Sequence, residues 1–189
     1  MRKNTYIFFL FFICLPFFLF SQDQQKINNL INRLNNACNI DRPEILNRLS
    51  ETYLYVDADK ALEYAKQALD YSQTQKNEPQ KAFAFFNMGN ALLEKNSTED
   101  AIGFYADALR LSRKISDSMR IAAVYTKMGL AYDFLGEFDK AFNYFHQALK
   151  YEKELHNKTG ISLALTNIGN IYSHWNNYSM ATEYYKRAL

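Results

Sequence analysis

Two hydrophobic patterns divide the chain. From Tyr6 to Phe20 the residues form one apolar run of fifteen, broken by Pro16. After Gln22 the apolar positions recur at helical spacing instead. Ile27, Leu30, Ile31 and Leu34 make one stripe and predict a helix over about 26–38. Phe85, Met88, Gly89 and Leu92 fall at i, i+3, i+4 and i+7, which predicts a helix over about 82–95. The same pattern predicts helices over about 120–135 and 160–175. A second set begins near residues 58, 98, 138 and 178. Just before these stand Asp57, Ser97, Glu137 and Asn177, three of which are good N-caps. Polar breaks separate the pairs at 76–79, 116–118 and 156–160.

The pairs repeat with a period of 40. Gly89, Gly129 and Gly169 keep that spacing, as do Ala61, Ala101, Ala141 and Ala181. So do Ala68-Leu69, Ala108-Leu109, Ala148-Leu149 and Ala188-Leu189, with Tyr105, Phe145 and Tyr185 in step. A glycine inside a helix costs about 1 kcal/mol relative to alanine, so its recurrence at one register points to a close contact. The expectation is that Ala101 stands across from Gly89, letting two helix backbones approach. Tyr105 and Ala108 would extend the same buried stripe. A single hairpin cannot cover both its faces, and stacking the next hairpin does so.

The stretch Phe85-Phe86-Asn87-Met88-Gly89-Asn90-Ala91-Leu92 with Ala101, Tyr105 and Ala108 resembles the tetratricopeptide repeat signature. Met128-Gly129-Leu130-Ala131-Tyr132 with Gly136, Phe138, Ala141, Phe145 and Ala148 is similar to it. So is Ile168-Gly169-Asn170-Ile171-Tyr172 with Tyr178, Ala181, Tyr185 and Ala188. The usual repeat is 34 residues, and the 40-residue period here resembles a longer subgroup. The resemblance implies an all-α fold, an α-solenoid of helical hairpins coiled as a right-handed superhelix. It divides the chain into a leader (1–21), an N-terminal helix (22–42) and an array (43–189). The units run about 43–78, 79–117, 118–157 and 158–189. The first departs most from the signature, with Leu49 in place of the glycine, as a terminal repeat would.

The resemblance further implies a concave groove lined by the first helix of each hairpin, holding a peptide or helix of another protein. Carried onto this chain, the groove residues are Phe86, Asn87, Asn90 and Glu94, then Thr126, Lys127, Leu130 and Asp133, then Thr166, Asn167, Asn170 and His174. An asparagine both donates and accepts, so it can pair with an extended peptide. Phe86, Thr126 and Thr166 stand where the carboxylate-gripping variant of the family carries lysines. An internal peptide or helix therefore fits better than a C-terminal carboxylate. Tyr132, Phe134, Tyr172 and Trp175 add an aromatic share.

Charge narrows the function classes. The chain has 22 Lys and Arg against 20 Asp and Glu, and Arg2 and Lys3 account for the excess. Beyond the leader the chain is formally neutral, with no basic face for nucleic acid. Arg2 and Lys3, the apolar run and small Ser21 have the order of a secretory signal peptide. Fifteen apolar residues are short for a spanning helix, which needs about twenty. The expectation is an exported protein, periplasmic or associated with the cell envelope, with membrane contact only through a retained leader or a further C-terminal part. Cys14 lies inside the run in the wrong context for lipidation. Cys38 is then alone, so no internal disulfide is expected.

No catalytic constellation is visible. His146, His156 and His174 show no paired ligand spacing, so no metal or cofactor is expected. Glu99-Asp100 opens a helix, where negative charge complements the dipole. The Asn-x-Ser/Thr triplets at Asn96, Asn157 and Asn177 lie in turns and read as turn chemistry. Ala188-Leu189 matches Ala148-Leu149, after which the preceding second helix continues. The chain is therefore expected to be a piece of a longer protein. The leading expectation is a protein-binding module. The alternative is the input region of a bacterial signalling protein such as a histidine kinase or transcriptional regulator. A weaker third is a repeat accessory to a hydrolase.

Overall fold

The computed structural model describes residues 23–189, so the leader expected over 1–21 lies outside the described residues. A first helix, α1, spans 23–36. It is followed by α2 (Arg42–Tyr53), α3 (Ala58–Thr74), α4 (Glu78–Glu94), α5 (Thr98–Lys114), α6 (Ser118–Phe134), α7 (Phe138–Glu154), α8 (Lys158–His174) and α9 (Tyr178–Ala188). No strand occurs among the described residues, and none of their helices is long and apolar enough to cross a membrane.

The 40-residue period is two halves of twenty. Helices α3 to α8 each have 17 residues, and three residues join each to the next. One device sets this rhythm. A residue in the left-handed region follows each of these six helices: Lys76, Asn96, Ser116, Gly136, His156 and Asn176, with φ between 53° and 73°. After α3, Asn77 N–H donates to Ser72 O at 2.9 Å and Lys76 N–H to Gln73 O at 3.1 Å. Those two bonds satisfy carbonyls the helix end leaves open. The residue after the left-handed one then caps the next helix. The Oδ1 atoms of Asn77, Asp117, Asn157 and Asn177 accept from the N–H of Gln80, Arg120, Gly160 and Met180. Asp57 caps α3 in the same way, while Ser97 and Glu137 make no side-chain cap bond. The first helices of the later units start at 78, 118 and 158, earlier than their apolar pattern suggests. The reason is that Asn77, Asp117 and Asn157 are caps inside what the sequence shows only as polar breaks.

Hairpins α2–α3, α4–α5, α6–α7 and α8–α9 stack in order. The glycine contact is with a ring. A Cβ on Gly89 would lie 2.5 Å from the Tyr105 ring, and Gly129 and Gly169 meet Phe145 and Tyr185 at the same distance. The space over the glycine is filled by the aromatic ring, a contact that the expected Gly89–Ala101 pairing did not include. The first unit inverts the sizes. Leu49 replaces the glycine and Ala65 the aromatic, and both are fully buried. Volume is conserved at the contact, which close packing demands.

The residue after the glycine follows its ring. Tyr105 OH donates to Asn90 Oδ1 at 2.9 Å and Tyr185 OH to Asn170 Oδ1 at 2.8 Å. In the third unit the ring is Phe145, with no hydroxyl, and the matching residue is Leu130. A buried hydroxyl needs a partner, and where it is absent an apolar residue serves.

Helix α1 closes the N-terminal end. Ile27 and Leu30 are buried with Ile45, Leu49 and Tyr53, and Ile31 and Leu34 pack beside them. First helices touch each other, α2 with α4 and α4 with α6. They form the inner layer of the array, and α3, α5 and α7 form the outer one.

Candidate functional site

The inner face is not uniform along the array. In the first two units it is closed. Asn47 Nδ2 donates to Gln80 O at 3.0 Å and to Gln80 Oε1 at 2.9 Å. Asn87 Nδ2 in turn donates to Asn47 O at 3.1 Å and to Asn47 Oδ1 at 3.2 Å. Asn47 and Asn87 are 0% and 2% exposed, so an amide ladder seals α2 against α4. Leu46 and Phe86, one residue earlier, are buried as well.

Four of the twelve expected groove residues therefore change role. Phe86 packs near the Tyr105 ring, centroids 6.0 Å apart. Asn87 is spent on the ladder, and Asn90 on the Tyr105 hydroxyl. Asn167 is buried in α8. Burial of the Tyr105 phenol raises its pKa far above the usual value, so it stays a donor to Asn90. Asn170 also bonds a tyrosine within its own hairpin, but in an exposed place. Among the aromatic residues, Tyr132 stacks on Tyr144 at 5.3 Å and Tyr172 on Tyr184 at 5.2 Å. Tyr132 thus serves its own hairpin, and Tyr172 also meets Phe142 of the preceding one, 5.6 Å between centroids.

In the third and fourth units the inner face stays open. Thr126, Lys127, Leu130 and Asp133 on α6 are half-buried, as is Thr166 on α8, while Asn170 and His174 are exposed. Phe134 is 67% exposed and Leu163 52%. Glu94 at the end of α4 is exposed beside them. Leu163 is an exposed apolar residue of α8 that sequence reasoning missed. Its register partners, Phe83 and Ala123, could have located it at the start of each first helix. Arg120 was missed too. It lies over the Phe83 ring at 4.1 Å and pairs with Asp117 at 3.3 Å, linking α6 to α4.

Burial has raised the energy of the charges on this surface. Burial holds Lys127 below the usual lysine range, opposed by the charge of Glu94. Burial likewise lowers Arg120, opposed by Asp117. The Asp133 carboxyl is pushed up by burial, opposed by His174, whose Nε2 lies 3.4 Å from Asp133 Oδ1. His174 itself stacks on Phe138, 4.5 Å between centroids. Ionisable groups already stripped of water lose less hydration when a partner covers them, and perturbed groups gather at functional surfaces.

The match to known proteins follows this geometry. Residues 120–189 match the tetratricopeptide repeat family. The fold of the whole described array is that of proteins built from such repeats. Superposition on a Rap protein complexed with competence and sporulation factor gives a TM-score of 0.81 at 23% identity, covering 90% of this chain and 49% of that one. A signal-transduction ATPase from Pyrococcus horikoshii with a tetratricopeptide repeat sensor gives 0.77 at 20% identity, covering 88% and 26%. MamA gives 0.63 at 24% identity, covering 89% and 87%. The chain spans about half the length of the Rap proteins it superposes on. By sequence, no curated protein matches the chain. The repeat fold is one used for protein–protein interaction. The open stretch of inner face lies within the residues that match the family.

Proposed function

We propose that the chain is a protein-interaction module that holds an extended peptide or a single helix of another protein on the inner face of α6 and α8. One observation carries this reading. The third and fourth units leave Phe134 and Leu163 exposed beside the half-buried charges of Lys127 and Asp133, whereas the first two units bury Asn47 and Asn87 at the register of Lys127. The apolar pair supplies contact area, and the charges supply orientation. Export to the periplasm or cell envelope belongs to the same proposal and rests on the leader's order of charge, apolar run and small residue.

The test is a peptide selected from a random library on the full chain. Phe134→Ser with Leu163→Ser should weaken that peptide at least about tenfold, the effect of losing two interface anchors. The helical signal and thermal midpoint should hardly move. A peptide bound equally well by the double variant would move the site elsewhere.

A second reading is input to a longer signalling protein. It is favoured by the fold shared with the Pyrococcus horikoshii ATPase, whose repeats are its sensor. Coding sequence beyond Leu189 that encodes a phosphoacceptor or nucleotide-binding domain would support it, and a stop codon there would end it.

A further inference from the structure

The first unit breaks register on one face of α2, and the break is lined with charge. At the register of Glu44 the later units place Ala84, Val124 and Ala164, and at that of Arg48 they place Met88, Met128 and Ile168. All six are buried. In the second unit this face packs on the hairpin before it, since Ala84 clusters with Leu46 and Ala68. Helix α2 also begins at Arg42, whereas the register of α4, α6 and α8 would start it at residue 38. Residues 38–41 form a turn instead, and α1 is not covered along its whole length.

Two adjoining clefts result, of about 410 and 460 Å³. The smaller is lined by Gln25, Lys26, Asn29, Leu30, Arg33 and Arg48, which include three cations and two amides but no carboxylate. Asn29 and Arg33 also line the larger cleft, with Asp41 and Glu44 on its far side. Arg48 is held by Glu44 at 2.9 Å. Neither Lys26 nor Arg33 has a carboxylate within ion-pair distance among the described residues. A second acid of α2, Glu51, feels the charges of Arg120, Lys26 and Arg48 but has its carboxyl pushed up by burial. Leu30 is buried and floors the cleft.

We propose that the cleft between α1 and α2 is an anion site for a phosphate-bearing group, held by Lys26, Arg33 and Arg48 with amide donors from Gln25 and Asn29. The chemistry is that of forked guanidinium donors on a multiply charged oxyanion, where arginine gives paired hydrogen bonds and lysine a point charge. A cap that only keeps the array soluble needs polar residues. It does not need three cations around one cleft without a carboxylate in its lining.

The probe is inorganic phosphate, titrated against the full chain while the side-chain N–H signals of Arg33, Arg48 and Asn29 are followed by NMR. The expected result is a saturable shift of all three. Arg33→Gln with Arg48→Gln should weaken it by about tenfold or more, and the Arg33→Lys, Arg48→Lys pair should keep part of it. Helical content should not change, since neither arginine is buried. Vesicles of phosphatidylglycerol, against phosphatidylcholine, separate the sources. Sedimentation that depends on the two arginines assigns a lipid headgroup, and a phosphate response without sedimentation assigns a soluble ligand. Shifts no larger than those at exposed Arg110, with vesicle binding indifferent to both arginines, would overturn the proposal and leave a solubilising cap.

Discussion

The second and third units share helix lengths, turns and glycine register, yet the inner faces of the first two units and the last two differ. At one register stand Asn47, Asn87, Lys127 and Asn167, and one residue earlier stand Leu46, Phe86, Thr126 and Thr166. The N-terminal pair carries amides that bond each other and large apolar residues that fill the space between α2 and α4. The C-terminal pair carries a desolvated lysine and threonines, and its inner face remains open. Thr126 Oγ1 and Thr166 Oγ1 donate back to Ala122 O and Ser162 O on their own helices. The fold sets where an inner face is. Two side chains per unit decide whether that face is sealed structure or free surface.

The sharpest way to break this comparison is at the shared register. Asn47→Ala should cost about 2–3 kcal/mol, since it removes the donor to Gln80 and one of the two acceptors of Asn87 Nδ2 and empties a fully buried site. Lys127→Ala should cost almost nothing, because it removes a cation that burial already disfavours. Urea unfolding of the two variants tests the contrast, and equal losses would sink it.

Next in size is a cycle at Asn90 and Tyr105. Tyr105→Phe and Asn90→Leu alone should each cost about 1–3 kcal/mol, by orphaning a buried polar group or by crowding it. Together they rebuild the Leu130–Phe145 arrangement of the third unit, and the loss should shrink to well under the sum. Additive losses would mean that the pairing is incidental. Asn170→Ala should cost less than Asn90→Ala, since water replaces the lost acceptor at the exposed Tyr185.

A smaller effect depends on pH. Asp133 has its carboxyl raised above the ordinary 3.8, chiefly by burial. Above that value the folded state holds the proton more tightly than the unfolded one, so ionisation removes stability as pH rises. Asp133→Asn should therefore raise the thermal midpoint at pH 7, and the gain should disappear as pH falls towards 3.8. A gain that is constant with pH would assign it to packing instead.

The smallest effect concerns the helix ends. Ser116 and His156 adopt φ of 57° and 53°. Ser116→Gly or His156→Gly should each add roughly 0.5–1 kcal/mol, because glycine carries no Cβ to clash there. Gly136→Ala should remove a similar amount. Differential scanning calorimetry of the three variants is sufficient to check the signs.

Much of the array was legible in the chain. Second-helix starts at 58, 98, 138 and 178 were readable because Asp57 and Asn177 are caps as well as boundary residues. First-helix starts were less legible, because the caps Asn77, Asp117 and Asn157 sit among other polar residues. The inner face was half legible. Thr126, Lys127, Leu130, Asp133, Thr166, Asn170 and His174 lie on the accessible part, and Glu94 at its border. Phe86, Asn87, Asn90 and Asn167 are buried, and their residue types do not reveal it. An asparagine that grips a ligand and one that bonds the next helix look the same in sequence.

The sequence by itself determined the period, the alternation of first and second helices, and the recurrence of the small residues. Those features depend on spacing along one chain and on the size of single side chains. Tertiary structure alone decided which inner faces close. Asn87 meets Asn47 across forty residues, and Arg48 lines one cleft with Lys26 and Arg33 of a separate helix. Such contacts depend on the distance between separate helices, which packing fixes and local pattern does not encode.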